Sequence, residues 1–332
     1  MAKLVSQIRF IASALALIFF VAMSMPAPAA TQGGPTGATS EQQLLQQLKP
    51  GGAISGQVSI PDKKAANLEH PAGRSWQAFH TITLKWIGGI VILGTIALLA
   101  IFYLLRGPVR IEHGRSGRTM LRFNAFERFM HWMTAACFIV LALTGLNVAF
   151  GRVLLLPLIG PQAFSGVTEW GKYSHNFLSF PFTLGVIVIF FMWVIPNIPN
   201  KIDVEWVKRG GGLVGKDHPP AKRFNAGQKA IFWIQMLGGT AMVVSGYLLI
   251  FPFYGTTIGD MQLAIMFHST VAMLYIALML GHIYIGSLGM EGAFEAMGSG
   301  QVDVNWAKEH HSLWYEEEMS QSGSGAMARP AE

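Results

Sequence analysis

The chain has 332 residues, 52% hydrophobic and only 13% charged, with a formal net charge of +6. So few charges cannot cover an ordinary soluble globule, and apolar runs of about 20 residues, enough to cross a hydrocarbon core, indicate an integral membrane protein. Its single cysteine, Cys137, lies in an apolar run, which excludes a disulfide framework, a thiolate zinc site, an iron–sulfur cluster and covalent c-type haem attachment.

Lys3 and Arg9 precede an apolar stretch from Phe10 to Met23 and then Ala27-Pro28-Ala29-Ala30, the layout of a cleaved signal peptide over residues 1–30. An uncleaved anchor helix is the alternative, but the run is short for a span. Residues 31–82, rich in Gly, Pro, Gln and Ser, are expected to form a loose extracytoplasmic segment. A first mature span is expected over residues 83–105. The loop after it carries Arg106, Arg110, Arg115, Arg118, Arg122 and Arg128 against Glu112 and Glu127, which assigns it to the cytoplasm.

The second span is expected from Phe126 to Phe150 and the third from His175 to Ile195. The weakly charged loop between them, with Arg152, Glu169 and Lys172, should face outside. A second basic loop, from Lys201 to Lys229, returns the chain to the cytoplasm. A fourth span from Ala230 to Phe251 and a fifth from Leu263 to Leu288 then leave the C-terminus cytoplasmic, with residues 319–332 as a flexible tail. No internal repeat and no soluble catalytic domain are expected. The basic residues lie beside apolar segments, where membrane orientation accounts for them better than nucleic-acid binding does.

Four of the ten histidines, His131, His175, His268 and His282, fall within spans or at their ends. Ionisable residues at such depth are functional candidates. His268 and His282 are 14 residues apart on the fifth span; a helix of that length separates them by about 21 Å and leaves them only about 40° apart around its axis. One helix face can therefore serve two stacked sites. By topology His131 matches the depth of His282, and His175 that of His268.

Facing histidines in a helical bundle suit axial ligation of a b-type haem, and two pairs imply two haems. Two axial histidines leave no open position, so electron transfer is the chemistry that remains. A single zinc site cannot join pairs about 21 Å apart, and cysteine or carboxylate ligands are missing at those depths. Each ring's second nitrogen needs a partner, and the neighbours Ser174, Asn176, Ser269 and Thr270 are candidates, as they are for helix packing. Gly281 and Gly286 could admit a flat macrocycle or simply a neighbouring helix.

These motifs resemble the cytochrome b (gamma) subunit of membrane-bound formate dehydrogenases over about residues 120–318. The resemblance rests on Arg122-Phe123-Asn124-Ala125-Phe126-Glu127-Arg128-Phe129-Met130-His131-Trp132, on His175 after Gly171-Lys172-Tyr173, on Phe224-Asn225-Ala226-Gly227-Gln228-Lys229, on the His268 and His282 pair, and on the tail from Trp306 to Tyr315. It implies two b-type haems, held by His175 with His268 on the outer side and by His131 with His282 on the inner side. It further implies a quinone site beside the inner haem using Asn225, Gly227 and Gln228, in a bacterial inner membrane. Read from the residues alone, Asn225 equally suits the N-cap of the fourth span, with Gly227 and Gln228 in its first turn.

The expected architecture is thus an all-α transmembrane bundle, a four-helix dihaem core with one extra N-terminal span. The chain has no molybdenum or iron–sulfur motif, so formate oxidation would belong to an iron–sulfur (beta) subunit and a molybdenum or tungsten (alpha) subunit. A hydrogenase or a thiosulfate or polysulfide reductase would use the same physics. A proton-coupled transporter could also bury histidines, but these spans lack the paired interruptions of such a site.

Overall fold

The computed structural model describes residues 73–212, 218–252, 254–321 and 329–330. The chain divides into two units, Met1–Pro71 with Gly255–Thr257 and Ala72–Tyr254 with Ile258–Glu332, and the elements named below all belong to the second. The expected signal peptide and most of the expected loose segment lie outside the described residues.

Among the described residues, five helices are long and apolar enough to cross a membrane. A short α1 (Gly73–Ala78) and a π-helical turn (Phe79–Thr83) lead into α2 (Leu84–Arg106). Residues 73–82, expected to be loose, are therefore helical. No Gly or Pro interrupts the chain between Gly73 and Gly88, and Phe79 packs onto the cluster of Leu84, Ala149 and Met273. Trp86, Leu104 and Leu105 of α2 stay 71%, 81% and 84% exposed, as side chains facing lipid do.

The remaining spans are α3 (Ala125–Leu154), α4 (Leu156–Trp193), α6 (Ala226–Ile250) and α7 (Ile258–Tyr284), with the short α5 (Lys201–Lys208) between α4 and α6. α3 packs on α4, α6 on α7, α4 on α6, and α2 lies along α7. Small residues set the close approaches. Gly185 of α4 gives up its side-chain space to Thr134 of α3, and a Cβ on Gly88 would stand 2.9 Å from Met273 Cγ.

The loop expected between the second and third spans is helical instead. α3 ends at Leu154, the backbone turns at Gly160 (φ 78°, ψ 168°), and Pro161 restarts a helix that continues to Trp193. Proline tolerates a first helical turn, and glycine the positive φ before it, so the pair that reads as a loop signal acts as a helix start. His175 consequently sits inside a long helix rather than opening one.

α3 and α6 begin alike. Arg122-Phe123-Asn124-Ala125 and Arg223-Phe224-Asn225-Ala226 each open a capping box at the asparagine. Asn124 Oδ1 accepts from Glu127 N at 3.0 Å while Glu127 accepts from Asn124 N at 2.9 Å. Asn225 Oδ1 accepts from Gln228 N at 2.9 Å while Gln228 accepts from Asn225 N at 3.1 Å. Each box satisfies two otherwise orphaned amides at a helix start.

At this same end of the bundle the polar segments form a compact cap. β1 (Arg118–Leu121) pairs antiparallel with β2 (Gln301–Asp303), Met120 opposite Val302, and with β3 (Arg329–Pro330). α8 (Ala293–Gly298), α9 (Val304–His310) and α10 (Ser312–Gln321) complete it. Val302, Trp306, Ala307, His311 and Trp314 are buried in it, and the Arg122 guanidinium lies against the rings of Trp306, Trp314 and His311. Trp132 Nε1 of α3 ties the cap to the bundle by donating to the Met297 carbonyl at 2.8 Å.

Candidate functional site

α7 carries His268 and His282 toward opposite ends of the bundle, and each meets a histidine from another helix. The His268 ring faces His175 of α4, centroids 6.3 Å apart and planes at 66°. The His282 ring faces His131 of α3, centroids 6.2 Å apart and planes again at 66°. The near-identity of the two arrangements is notable because the first pair joins α4 to α7 and the second joins α3 to α7.

The partners of the second ring nitrogens were not among the residues expected from sequence. His175 Nδ1 lies 2.8 Å from Thr144 Oγ1 on α3, and His268 Nδ1 lies 2.9 Å from Ser245 Oγ on α6. Ser269 and Thr270 instead donate to the carbonyls of Ile265 and Met266, both at 2.7 Å, and Asn176 offers its carbonyl to Ser179. Those hydroxyls return to their own helix, whereas Thr144 and Ser245 reach across from a neighbouring one. A readable signal existed: Thr144-Gly145 and Ser245-Gly246 each fall 20 residues after the capping asparagine of their helix.

Between the two pairs lies a buried aromatic layer. Tyr275 is midway along α7 between His268 and His282, stacks edge-on against Phe138 of α3 with centroids 5.1 Å apart, and donates its hydroxyl proton to Gln235 Oε1 of α6. Gly238 makes room for that ring, since a Cβ there would stand 2.9 Å from Tyr275 Cδ2.

Asn225 and Gln228 lie at the His131–His282 end and use one oxygen each in their capping box, which leaves both amide NH2 groups outside it. Gly227 is pressed against Trp206 of α5, with an added Cβ only 3.2 Å from the ring. Next to them Arg223 pairs with Glu127 at 2.7 Å, and the buried Lys229 pairs with Asp203 at 2.8 Å. Arg122 is 3% exposed, and burial, followed by the charge of Arg223, pushes its guanidinium down to about 9.

Residues 122–300 match the family model described as prokaryotic cytochrome b561, more than half of the chain. The chain belongs to the prokaryotic cytochrome b561 family. It is 32% identical over 202 residues to the formate dehydrogenase cytochrome b556(fdo) subunit of Escherichia coli, covering 60% of this chain and 93% of that protein. It is 28% identical to the nitrate-inducible formate dehydrogenase cytochrome b556(Fdn) subunit of the same organism, covering 60% of this chain and 92% of that subunit. The formate dehydrogenase cytochrome b556 subunit of Haemophilus influenzae is also 28% identical, with 60% and 84% covered.

A cytochrome b of this family binds b-type haem and transfers electrons, and the side chains of this cytochrome fit that group. Metal–imidazole bonds of about 2 Å on both sides of one ion set trans ring centroids about 6 Å apart, the spacing of both pairs. Gly281, beside His282, and Gly286 have open space where a Cβ would be, so neither is there for helix packing among the described residues. No group of three or more His, Cys, Asp or Glu among the described residues could hold a bare metal ion.

Proposed function

We propose that this cytochrome is the membrane subunit of a formate dehydrogenase complex, carrying electrons from an iron–sulfur subunit across the bilayer to a quinone. The observation that carries the proposal is the pair of histidines on α7, each facing a histidine of another helix, one pair near each end of the bundle. The relatives named for formate dehydrogenase supply the complex.

In this reading His175 and His268 hold one haem and His131 and His282 a second. Bound between two imidazoles, haem supplies a one-electron couple with no open coordination position. The helices hold the rings in fixed positions, and the layer of Tyr275, Phe138 and Gln235 keeps water out of the space between the pairs. Formate is oxidised elsewhere, on a molybdenum or tungsten subunit.

The basic residues around β1 and α5 support an inner-membrane orientation with the His131–His282 end and the cap in the cytoplasm, and the segment before α1 outside. The quinone would be reduced at the inner end, where the amide NH2 groups of Asn225 and Gln228 are available as donors to its oxygen. A comparison within the protein supports this choice. The two capping boxes differ at their last positions, Phe126-Glu127 against Gly227-Gln228, so that the second presents a small residue and a neutral amide.

The visible spectrum of the purified protein tests the reading. Two b haems per chain, reduced by formate in the complex and reoxidised by quinone, are expected. A colourless protein after adequate haem supply would refute it in favour of a transporter. Reduction by hydrogen or a sulfur compound in place of formate would move the chain to a hydrogenase or a sulfur-compound reductase.

A further inference from the structure

We propose that Thr144 and Ser245 are positioning residues that make the His175–His268 pair the more electron-rich of the two ligand pairs, and so the poorer electron acceptor when loaded. This rests on the reading of both pairs as haem ligands.

The two hydroxyls occupy one place in a duplicated design. Each follows its capping asparagine by 20 residues, each is followed by glycine, and each meets the histidine on the second helix of its own hairpin. Hydroxyls in apolar helices commonly donate to a carbonyl one turn back, and these do: Thr144 to Val140 at 2.7 Å and Ser245 to Ala241 at 2.6 Å. A hydroxyl has one proton, and with that proton spent on the carbonyl it presents a lone pair to the imidazole. Nδ1 of His175 and of His268 is therefore the protonated nitrogen, and Nε2 keeps the lone pair that a metal needs.

Both rings pass close to the glycine that follows the hydroxyl. A Cβ at Gly145 would touch His175 Cε1 at 3.5 Å, and one at Gly246 would touch His268 Cε1 at 3.4 Å. The other pair has no such device: His131 Nδ1 is buried without a partner, and among the described residues no hydrogen bond reaches the His282 ring. An acceptor on the second nitrogen raises the basicity of the ligating one and favours the oxidised metal. Two hydroxyls acting on one pair set a gradient along the bundle, from the His175–His268 end toward the His131–His282 end.

The test is a spectroscopic redox titration of the purified protein that resolves its two haems. Thr144→Val and Ser245→Ala should each raise the midpoint potential of one and the same haem, the one missing from His175→Ala, with the double variant raised further. Thr144→Ser and Ser245→Thr, which keep the hydroxyl, should titrate as wild type. Unmoved potentials in Thr144→Val and Ser245→Ala with both haems retained would overturn the proposal and leave the haem reading intact. Loss of that haem from Thr144→Ser as well as Thr144→Val would assign the site to shape and also overturn it. A wild-type protein that binds no haem would overturn the haem reading, and this proposal with it.

Discussion

Arg122 and Arg223 each donate through Nη2 to the other's backbone carbonyl, the return bond from Arg223 measuring 3.4 Å. Like charges are brought together where the two repeated helix starts meet, and Phe123 and Phe224 stack beside them with centroids 5.9 Å apart. Glu127 is the carboxylate that makes this tolerable. It accepts from Arg223 at 2.7 Å, from Trp193 Nε1 at 2.8 Å and from the Asn124 amide at 2.9 Å.

Glu127→Gln should therefore destabilise the cytochrome well beyond the loss of one hydrogen bond. Removing one partner of a buried ion pair costs about 3–5 kcal/mol, and the partial exposure of Arg223 reduces that to about 2–3 kcal/mol. Thermal unfolding in detergent measures it. A Glu127→Gln protein as stable as wild type would mean that Arg122 and Arg223 need no neutralisation.

The pairing of histidines across helices leads to a second expectation. His175→Ala or His268→Ala should remove one haem, and His131→Ala or His282→Ala the other, each variant falling to about half the haem per chain because haem needs both axial bonds. Haem content and the visible spectrum report this. If both haems survived in His175→Ala and His268→Ala, the pairing would be wrong as a ligand set.

Much of this arrangement was legible because the membrane leaves a helix few options: apolar runs gave the spans, and the spacing of His268 and His282 put both on one face of α7. What escaped had physical reasons. Thr144 and Ser245 act on rings of another helix, so a search among sequence neighbours of the histidines could not reach them. The likeness of α3 and α6 is confined to the capping elements and the hydroxyl–glycine pairs, too little for a pattern to stand out along the chain. Gly160-Pro161 carries the same letters as a loop. The fold of the cap around Trp306 and Trp314 was not legible because its helices are too short to have a periodic pattern.

That cap should loosen in acid. Burial, and then the neighbouring His218, pushes His310 down to about 4 against the opposing charge of Glu309, and burial followed by Arg122 holds His311 well below its usual value. An unfolded histidine titrates near about 6.5, so between about 6.5 and about 4 the unfolded cap binds more protons than the folded one. The stability of the neutral rings is thus fully present above about 6.5 and lost as pH falls through that window. The opening equilibrium of residues 301–321, taken from hydrogen exchange corrected for the intrinsic slowing of amide exchange in acid, should rise between pH 7 and pH 4.5. His310→Phe, which keeps the packing against Trp306, should flatten the rise; an unchanged pH profile would exclude His310 as its source.

The capping box at α6 offers a sharper test of the quinone site, because Asn225 and Gln228 cap the helix whatever else they do. Asn225→Ala should cost about 1 kcal/mol as the loss of an N-cap, and any slowing of quinone reduction in that variant would be ambiguous. Asn225→Asp keeps an excellent cap, and Gln228→Glu rebuilds the box that Asn124 and Glu127 already form at α3, yet each removes an NH2 donor. Both variants should fold with wild-type stability and retain both haems, reducible by the physiological donor. Reoxidation by quinone should nevertheless slow at least tenfold, the scale of one lost hydrogen bond to a buried acceptor, about 1.4 kcal/mol. If Asn225→Asp and Gln228→Glu reoxidised at the wild-type rate, capping would be their whole role. The quinone would then have to be sought along another face of the His131–His282 end.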